Sequence, residues 1–309
     1  MATSIDFKIW SETSYSIQSL RDNPACAAEE FALLDDASRP GLFVDTTFDP
    51  AQNISAPYIN KTKPRVAILR EQGVNGQLEM ASAFDRAGFT PVDVHMSDLL
   101  AGRTHLSDFT GLAACGGFSY GDVLGAGSGW AKTILFNESL AEQFTKYFAR
   151  PETFTLGVCN GCQMLAQLRD IVPGAASWPR FIRNTSSRYE ARLCMVEIEQ
   201  TPSLFFDNMA GSRMPIVVAH GEGHAHNPGA SAIPALRYID TYGKRTEHYP
   251  LNPSGSREGV AGFTSEDGRA LILMPHPERI ALGIQHTWTR ALAQSPWQRL
   301  FDNARKWVG

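Results

Sequence analysis

The sequence predicts an α/β fold: a mostly parallel or mixed central sheet with helices on both faces, preceded by an irregular N-terminal strap. Three observations carry this reading. From Arg65 onward, short apolar runs alternate with stretches of helical periodicity, the pattern of a parallel sheet covered on both sides. Residues 192–273 are richer in strand-like runs, so the sheet becomes mixed in its second half. Before Arg65, the chain places Pro40, Pro50, Pro57 and Pro64 among Asp, Ser, Thr and Asn, which reads as a segment lying on another surface. Residues 1–63 are accordingly assigned to a linker or strap and 64–309 to the folded domain.

The elements follow in order. Residues 66–69 form a short apolar strand, and Gly73 and Gly76 shape the turn after it. Leu78, Ala81, Phe84 and Ala87 recur at helical spacing until Gly88 stops the helix. Residues 91–96 alternate as a strand, and 112–115 form a buried strand that ends in Gly116-Gly117. One helical periodicity spans 130–148, an apolar strand falls at 154–158, and the next helix at 160–168. Later strands are expected at 195–198, 216–219, 260–263 and 270–273. Ser295 as cap and Pro296 as first residue open a last helix, whose apolar face carries Trp297, Leu300, Phe301, Ala304 and Trp307.

Composition narrows the function. The chain has 309 residues, 43% of them hydrophobic, enough for one large core or two modest ones. Twenty-eight basic residues against 32 acidic ones give a net charge of −4, which argues against a polyphosphate-binding surface and so against a nucleic acid partner. No run approaches the roughly 18 apolar residues of a membrane span, and the first ten residues do not read as a secretory signal. Five cysteines, an odd number in a large chain, fit a reducing cytoplasm better than a disulfide framework.

The chemistry concentrates in Gly157-Val158-Cys159-Asn160-Gly161-Cys162-Gln163. A strand, a flanking glycine, a nucleophile and an immediate helix give the layout of a nucleophile elbow, written G-x-C-x-G. The free N–H groups and dipole of the following helix would stabilise a thiolate at Cys159. The C-x-x-C of Cys159 and Cys162 also admits a redox reading, although a second C-x-x-C for a zinc site is missing. Met274-Pro275-His276-Pro277-Glu278-Arg279 should be extended because of its prolines. Residues two apart in an extended chain share a side, so Glu278 would hold the His276 imidazole in one tautomer. Gly116-Gly117-Phe118, ending a strand, could offer backbone N–H groups to an oxyanion. Gly125-Ala126-Gly127-Ser128-Gly129-Trp130 fits neither the dinucleotide nor the phosphate-loop pattern, so no ATP or NAD site is expected in this chain. Three histidines and an acid cluster at 220–226; a solvated or substrate-adjacent loop is the simpler reading than a metal site, and no metal is expected.

Together these segments resemble the triad (class I) glutamine amidotransferases, whose glutaminase domains combine G-x-C-x-G with a distant His-x-Glu on a flavodoxin-like fold. Arg70-Glu71-Gln72-Gly73-Val74-Asn75-Gly76, Gly116-Gly117-Phe118-Ser119-Tyr120-Gly121-Asp122, His220-Gly221-Glu222-Gly223 and the two segments above are similar to the glutaminase domains of phosphoribosylformylglycinamidine synthases. Arg21-Asp22-Asn23-Pro24-Ala25-Cys26 resembles the stretch before that domain in their large, single-chain form. The resemblance implies a glutaminase with Cys159, His276 and Glu278 as catalytic residues. It implies oxyanion and substrate contacts from Gly117, Phe118, Asn160 and Gln163. It also implies a covalently linked synthetase half outside this chain that uses ATP and Mg2+, with residues 1–63 as the connection and this chain as a C-terminal fragment. The contrasting readings are a cysteine hydrolase or peptidase on a similar sheet, and a scaffold without activity.

Overall fold

The computed structural model describes residues 4–286, 292 and 294–309. Its elements are α1 (Ser4–Arg21), α2 (Pro24–Ala32), β1 (Arg65–Arg70), α3 (Gln77–Arg86), β2 (Thr90–His95), α4 (Met96–Leu100) and β3 (Gly111–Ala114). There follow α5 (Ser128–Leu135), α6 (Glu138–Ala149), β4 (Phe154–Val158), α7 (Asn160–Gln167), β5 (Arg180–Ile182), β6 (Glu190–Ile198) and β7 (Arg213–His220). The chain closes with β8 (His224–His226), β9 (Ile233–Tyr238), β10 (Val260–Thr264), β11 (Ala270–Leu273) and α8 (Gln298–Val308).

Nine strands form one sheet in the order β2-β1-β3-β4-β11-β10-β9-β6-β7, and β5 pairs separately with β8. The first five in that order pair in parallel; β11-β10, β10-β9, β9-β6 and β6-β7 are antiparallel. The fold is thus an α/β mixed sheet with helices, as the sequence predicts. Strands β3, β4 and β11 are buried along their whole length, because helices cover both their faces. None of the described helices is long and apolar enough to cross a membrane.

Three differences from the sequence reading have simple causes. The single helix expected at 130–148 is two: α5 ends at Leu135, and the Asn137 side chain accepts the Leu140 N–H to start α6. In α3 the expected face is buried at Phe84 and Ala87 and half-buried at Ala81, but Leu78 is 76% exposed, and Met80 and Ala83 complete the face in its place. The last helix begins at Gln298, with Ser295 Oγ accepting the Trp297 N–H.

The N-terminal strap needs a larger correction, because it is not irregular throughout. Residues 4–32 form two helices, which pack together through the stacked rings of Tyr15 and Phe31, 4.4 Å apart. An Asn-Pro pair starts the second one, with Asn23 as cap and Pro24 as first residue. Most of the stretch from Asp36 to Pro64 is irregular, as its prolines require. It lies along the domain because buried arginines of α8 take its carbonyl groups: Arg299 donates to Asp49 and Gln52, and Arg305 to Tyr58 and Thr62.

Candidate active site

The parallel strands deliver their C-terminal ends to one place. Cys159 sits between β4 and α7 with φ 51° and ψ −108°, a conformation that is costly for a residue with a Cβ. The flanking glycines make this turn possible. A Cβ on Gly161 would stand 2.1 Å from the Ala114 carbonyl oxygen, and one on Gly157 2.5 Å from Leu165 Cδ1. Helix α7 therefore lies directly on β3, and the cysteine side chain is held at the sheet's edge, 5% exposed.

His276 follows β11 with extended backbone, φ −107° and ψ 93°. Its own N–H donates to the Val217 carbonyl of β7 at 2.8 Å. Its Nδ1 lies 2.6 Å from Glu278 Oε1, both side chains being buried. Burial alone would discharge the imidazole, but the Glu278 carboxylate and then Cys159 outweigh it and raise the His276 pKa to about 9. Gly116 packs flat on this pair: a Cβ there would be 2.5 Å from His276 Cε1 and 3.3 Å from Cys159 Cβ. The thiol, lying beside the ring, donates to the Ala219 carbonyl at 3.5 Å, and His276 Nε2 is left without a well-formed hydrogen bond among the described residues.

The other sequence-selected residues surround these three. Gly117 has φ +150° and crowds the Val74 and Asn75 backbone. The N–H groups of Gly117 and Asn160 donate to nothing among the described residues, whereas the Phe118 N–H is taken by the Gly73 carbonyl at 2.9 Å. The Phe118 ring stands at the mouth, 42% exposed, 6.0 Å from the ring of Tyr189. The Asn160 side chain accepts the Ser119 N–H and donates to Asp122 and to Gln163 Oε1. Gln163 in turn donates to the Glu222 carbonyl at 2.7 Å, so its amide is engaged at both ends. Cys162 is fully buried, and burial, then Cys159, hold its thiol well above the ordinary range. A thiol so held is a poor exchange partner, which weakens the redox reading.

The glycines at 125–129 turn out to be packing devices: Gly127, at φ +71°, lets α5 approach the Met164 N–H of α7. The three histidines at 220–226 find different partners, although the His224 and His226 rings stand 6.4 Å apart. His220 is buried against Asn184, His224 lies near the Ser254 carbonyl, and His226 bonds Asn227. Among the described residues no group of three His, Cys, Asp or Glu side chains is placed to hold a metal. The sequence marks the loop with Glu222 as solvated or substrate-adjacent; what it does not single out is the rest of the antiparallel half's role: the Ala219 carbonyl, Tyr189 and Asn184. Backbone acceptors and a lone asparagine leave no spacing to read.

A thiol on a strained elbow, an imidazole oriented by a buried carboxylate and two unengaged backbone N–H groups can support acyl transfer through a covalent intermediate. The fold is shared with a chain of the solved PurLQS of Thermotoga maritima, with 24% identity over 80% of this chain and all of that one, at a TM-score of 0.64. A putative GMP synthase subunit from Thermoplasma acidophilum matches 81% of this chain and 96% of its own, with 13% identity and a TM-score of 0.49. Residues 63–308, the whole sheet and the elbow included, match the model of the CobB/CobQ-like glutamine amidotransferase domain, and to that family the chain belongs.

Proposed function

We propose that this chain hydrolyses glutamine to glutamate and ammonia at Cys159, and that the ammonia serves an ATP-dependent synthetase half. That half would convert formylglycinamide ribonucleotide to the amidine in purine biosynthesis, in the cytoplasm. The observation that carries the first part is the buried His276–Glu278 pair, 2.6 Å apart, beside a cysteine held on an elbow in an amidotransferase family. The pathway rests on the extended motif resemblance, with support from the fold shared with PurLQS.

The Cys159 thiolate, its proton already held by His276 at Nε2, attacks the side-chain amide carbon of glutamine. The imidazolium, stabilised by Glu278, then gives that proton to the departing ammonia. The Gly117 and Asn160 N–H groups hold the tetrahedral oxyanion. A water activated by His276 releases glutamate from the thioester. Phe118 covers the mouth, and Gln163 acts as a wall, bracing the Glu222 carbonyl. ATP and Mg2+ belong to the synthetase half, and residues 1–63 are the strap that leads to it.

The test is glutamate release with Cys159→Ala. In the complete enzyme this variant should lose glutamine-dependent synthesis and keep synthesis from added ammonium. Equal loss of both activities would defeat the division of labour, and cleavage of peptides without glutamate release would return the chain to the peptidase reading.

A further inference from the structure

The end of β7 and the loop after it touch the site on three sides. The Ala219 carbonyl accepts the Cys159 thiol at 3.5 Å, the Glu222 carbonyl accepts from Gln163 at 2.7 Å, and Glu222 Oε2 accepts the Ala126 N–H at 3.1 Å. Something must fix this loop, because Gly221 and Gly223 give it little stiffness of its own.

Asn184, just after β5 and itself buried, is that fixture. Its Nδ2 donates to the His220 carbonyl at 2.8 Å and the Arg188 carbonyl at 3.0 Å. Its Oδ1 accepts the Gly223 N–H at 2.8 Å and His220 Nδ1 at 3.0 Å, and its own N–H reaches the Gly221 carbonyl at 2.9 Å. Both donors and both lone pairs of the amide are used. The two donations fix which end is oxygen, so His220 Nδ1 must carry the hydrogen. Burial, then the nearby His276, lower the His220 pKa to about 3, so this second histidine stays neutral and serves as a rigid donor. A Cβ at position 223 would lie 2.1 Å from His220 Cε1, so the loop backbone lies directly on the ring.

The same short segment is gripped from outside. Asn23, between α1 and α2, donates from its side chain to the Thr185 carbonyl at 2.8 Å and from its backbone to Ser186 at 3.4 Å. Asp22 lies 3.6 Å from Arg188. A path of hydrogen bonds and short stretches of backbone therefore runs from Asn23 through Thr185 to Asn184, and from Asn184 to His220, whose neighbour Ala219 holds the thiol.

We propose that Asn184 is a positioning residue for the reaction at Cys159, and that the N-terminal helices act on the nucleophile through it. The inference deepens the glutaminase reading and rests on it for its kinetic arm. The experiment uses the full chain with Asn184→Ala, Asn184→Asp, Asn23→Ala and the Asn23/Asn184 double alanine variant. Glutamate release gives kcat and KM, iodoacetamide labelling of Cys159 followed by mass spectrometry gives thiol reactivity, and thermal melts report folding.

A shift of about 1 Å at a reacting group can cost about a hundredfold. Asn184→Ala should accordingly lower kcat by about ten- to a hundredfold, with a much smaller change in KM, and slow labelling in parallel. Asn184→Asp, which keeps the acceptor but turns a second oxygen toward two carbonyls, should do the same. Asn23→Ala should act in the same direction but less, and add nothing once Asn184 is already alanine. Folded Asn184 variants with unchanged kcat and labelling, or an Asn23→Ala effect of equal size in both backgrounds, would overturn the proposal. If Asn184→Ala does not fold, Asn184→Asp and Asn23→Ala decide it. A wild-type chain that releases no glutamate would defeat the glutaminase reading, and the labelling series would still judge Asn184.

Discussion

The two halves of the sheet contribute to the site in different ways. The parallel half supplies side chains: Cys159 after β4, His276 after β11, and the bare glycines after β3 that make room for them. The antiparallel half supplies backbone: the Val217 carbonyl that fixes the His276 segment, the Ala219 carbonyl that holds the thiol and the Glu222 carbonyl behind Gln163. Chemistry that depends on residue type therefore sits on one half, and chemistry that depends on where a strand ends sits on the other. Substitutions of the reacting side chains in the first should change rates at nearly constant stability, and most substitutions in the second should do the reverse.

After loss of the nucleophile Cys159, the largest effect expected in the parallel half is at the proposed base. His276→Ala removes the proton carrier and should lower kcat by about 10²–10⁴-fold. Glu278→Gln keeps the shape and loses the charge, so it should cost less in kcat while changing the pH profile. In the wild type the imidazole holds its proton up to about pH 9 because Glu278 and Cys159 overcome the opposing effect of burial. The alkaline limb of kcat/KM, where the proton destined for ammonia is lost, should therefore fall near that value. Without the carboxylate, burial dominates and the limb should move toward acid. The sign extends to stability: a His pKa raised on folding stabilises fully below about 6.5, and that stabilisation is lost as pH rises toward 9. A Glu278→Gln profile superimposable on the wild type would show that the carboxylate does not set the charge of the base.

Gly116 and Gly161 divide rate from stability within the parallel half itself. At Gly116 the added methyl meets the His276 ring, which can be pushed aside, so Gly116→Ala should fold and lose activity by about 10²-fold through misplacement of the base. At Gly161 the methyl meets the Ala114 backbone carbonyl at 2.1 Å, which cannot yield without lifting α7 from β3. Gly161→Ala should lose about 1–3 kcal/mol or more of stability, as overpacked cores do. Thermal melts beside glutamate release at a temperature where both variants are folded would separate the two. The contrast fails if Gly116→Ala retains wild-type turnover.

How much of this was legible in the sequence follows the same division. Four of the five parallel strands are built on short apolar runs and β2 alternates, and the five were placed to within a residue or two. The antiparallel strands were harder to read because they carry polar residues that find partners only in three dimensions. Strands β6 and β7 were located but cut short, since Glu190 and Arg192 at one end and Arg213 and Pro215 at the other obscure the run. Strand β9 was missed: Pro234 and Arg237 break its pattern, and Arg237 is buried there only because Glu199 and Glu258 meet it. Helices α1 and α2 were hidden for a related reason, as neither has a wide apolar face directed at the main core. For the site, Cys159, His276 and Glu278 were marked by their spacing, whereas Asn184 was invisible because its partners are mostly backbone atoms from distant segments.

Arg237 also provides the smallest effect on rate, and the sharpest check on the comparison. It lies on β9, away from the reacting groups, with its side chain 3.3 Å from Glu199 Oε1, 3.2 Å from Glu258 Oε2 and 2.9 Å from the Glu258 carbonyl. Glu258 is largely solvated and Glu199 keeps Arg245 as a second partner, so neither carboxylate is stranded when the guanidinium goes. A methionine would fill most of the space and leave the Glu258 carbonyl without its donor. Arg237→Met should therefore cost only about 1–2 kcal/mol, in the range of a hydrogen bond to a charged group, and lower Tm by a few degrees. Glutamate release by the folded variant should stay within about twofold of the wild type, since no hydrogen bond from Arg237 leads to Ala219, Glu222 or Asn184. A loss of turnover much larger than that, in a protein whose Tm has moved only slightly, would mean that the antiparallel half tunes the chemistry even through side chains that do not touch the loop at 219–223, and the division between the halves would have to be abandoned.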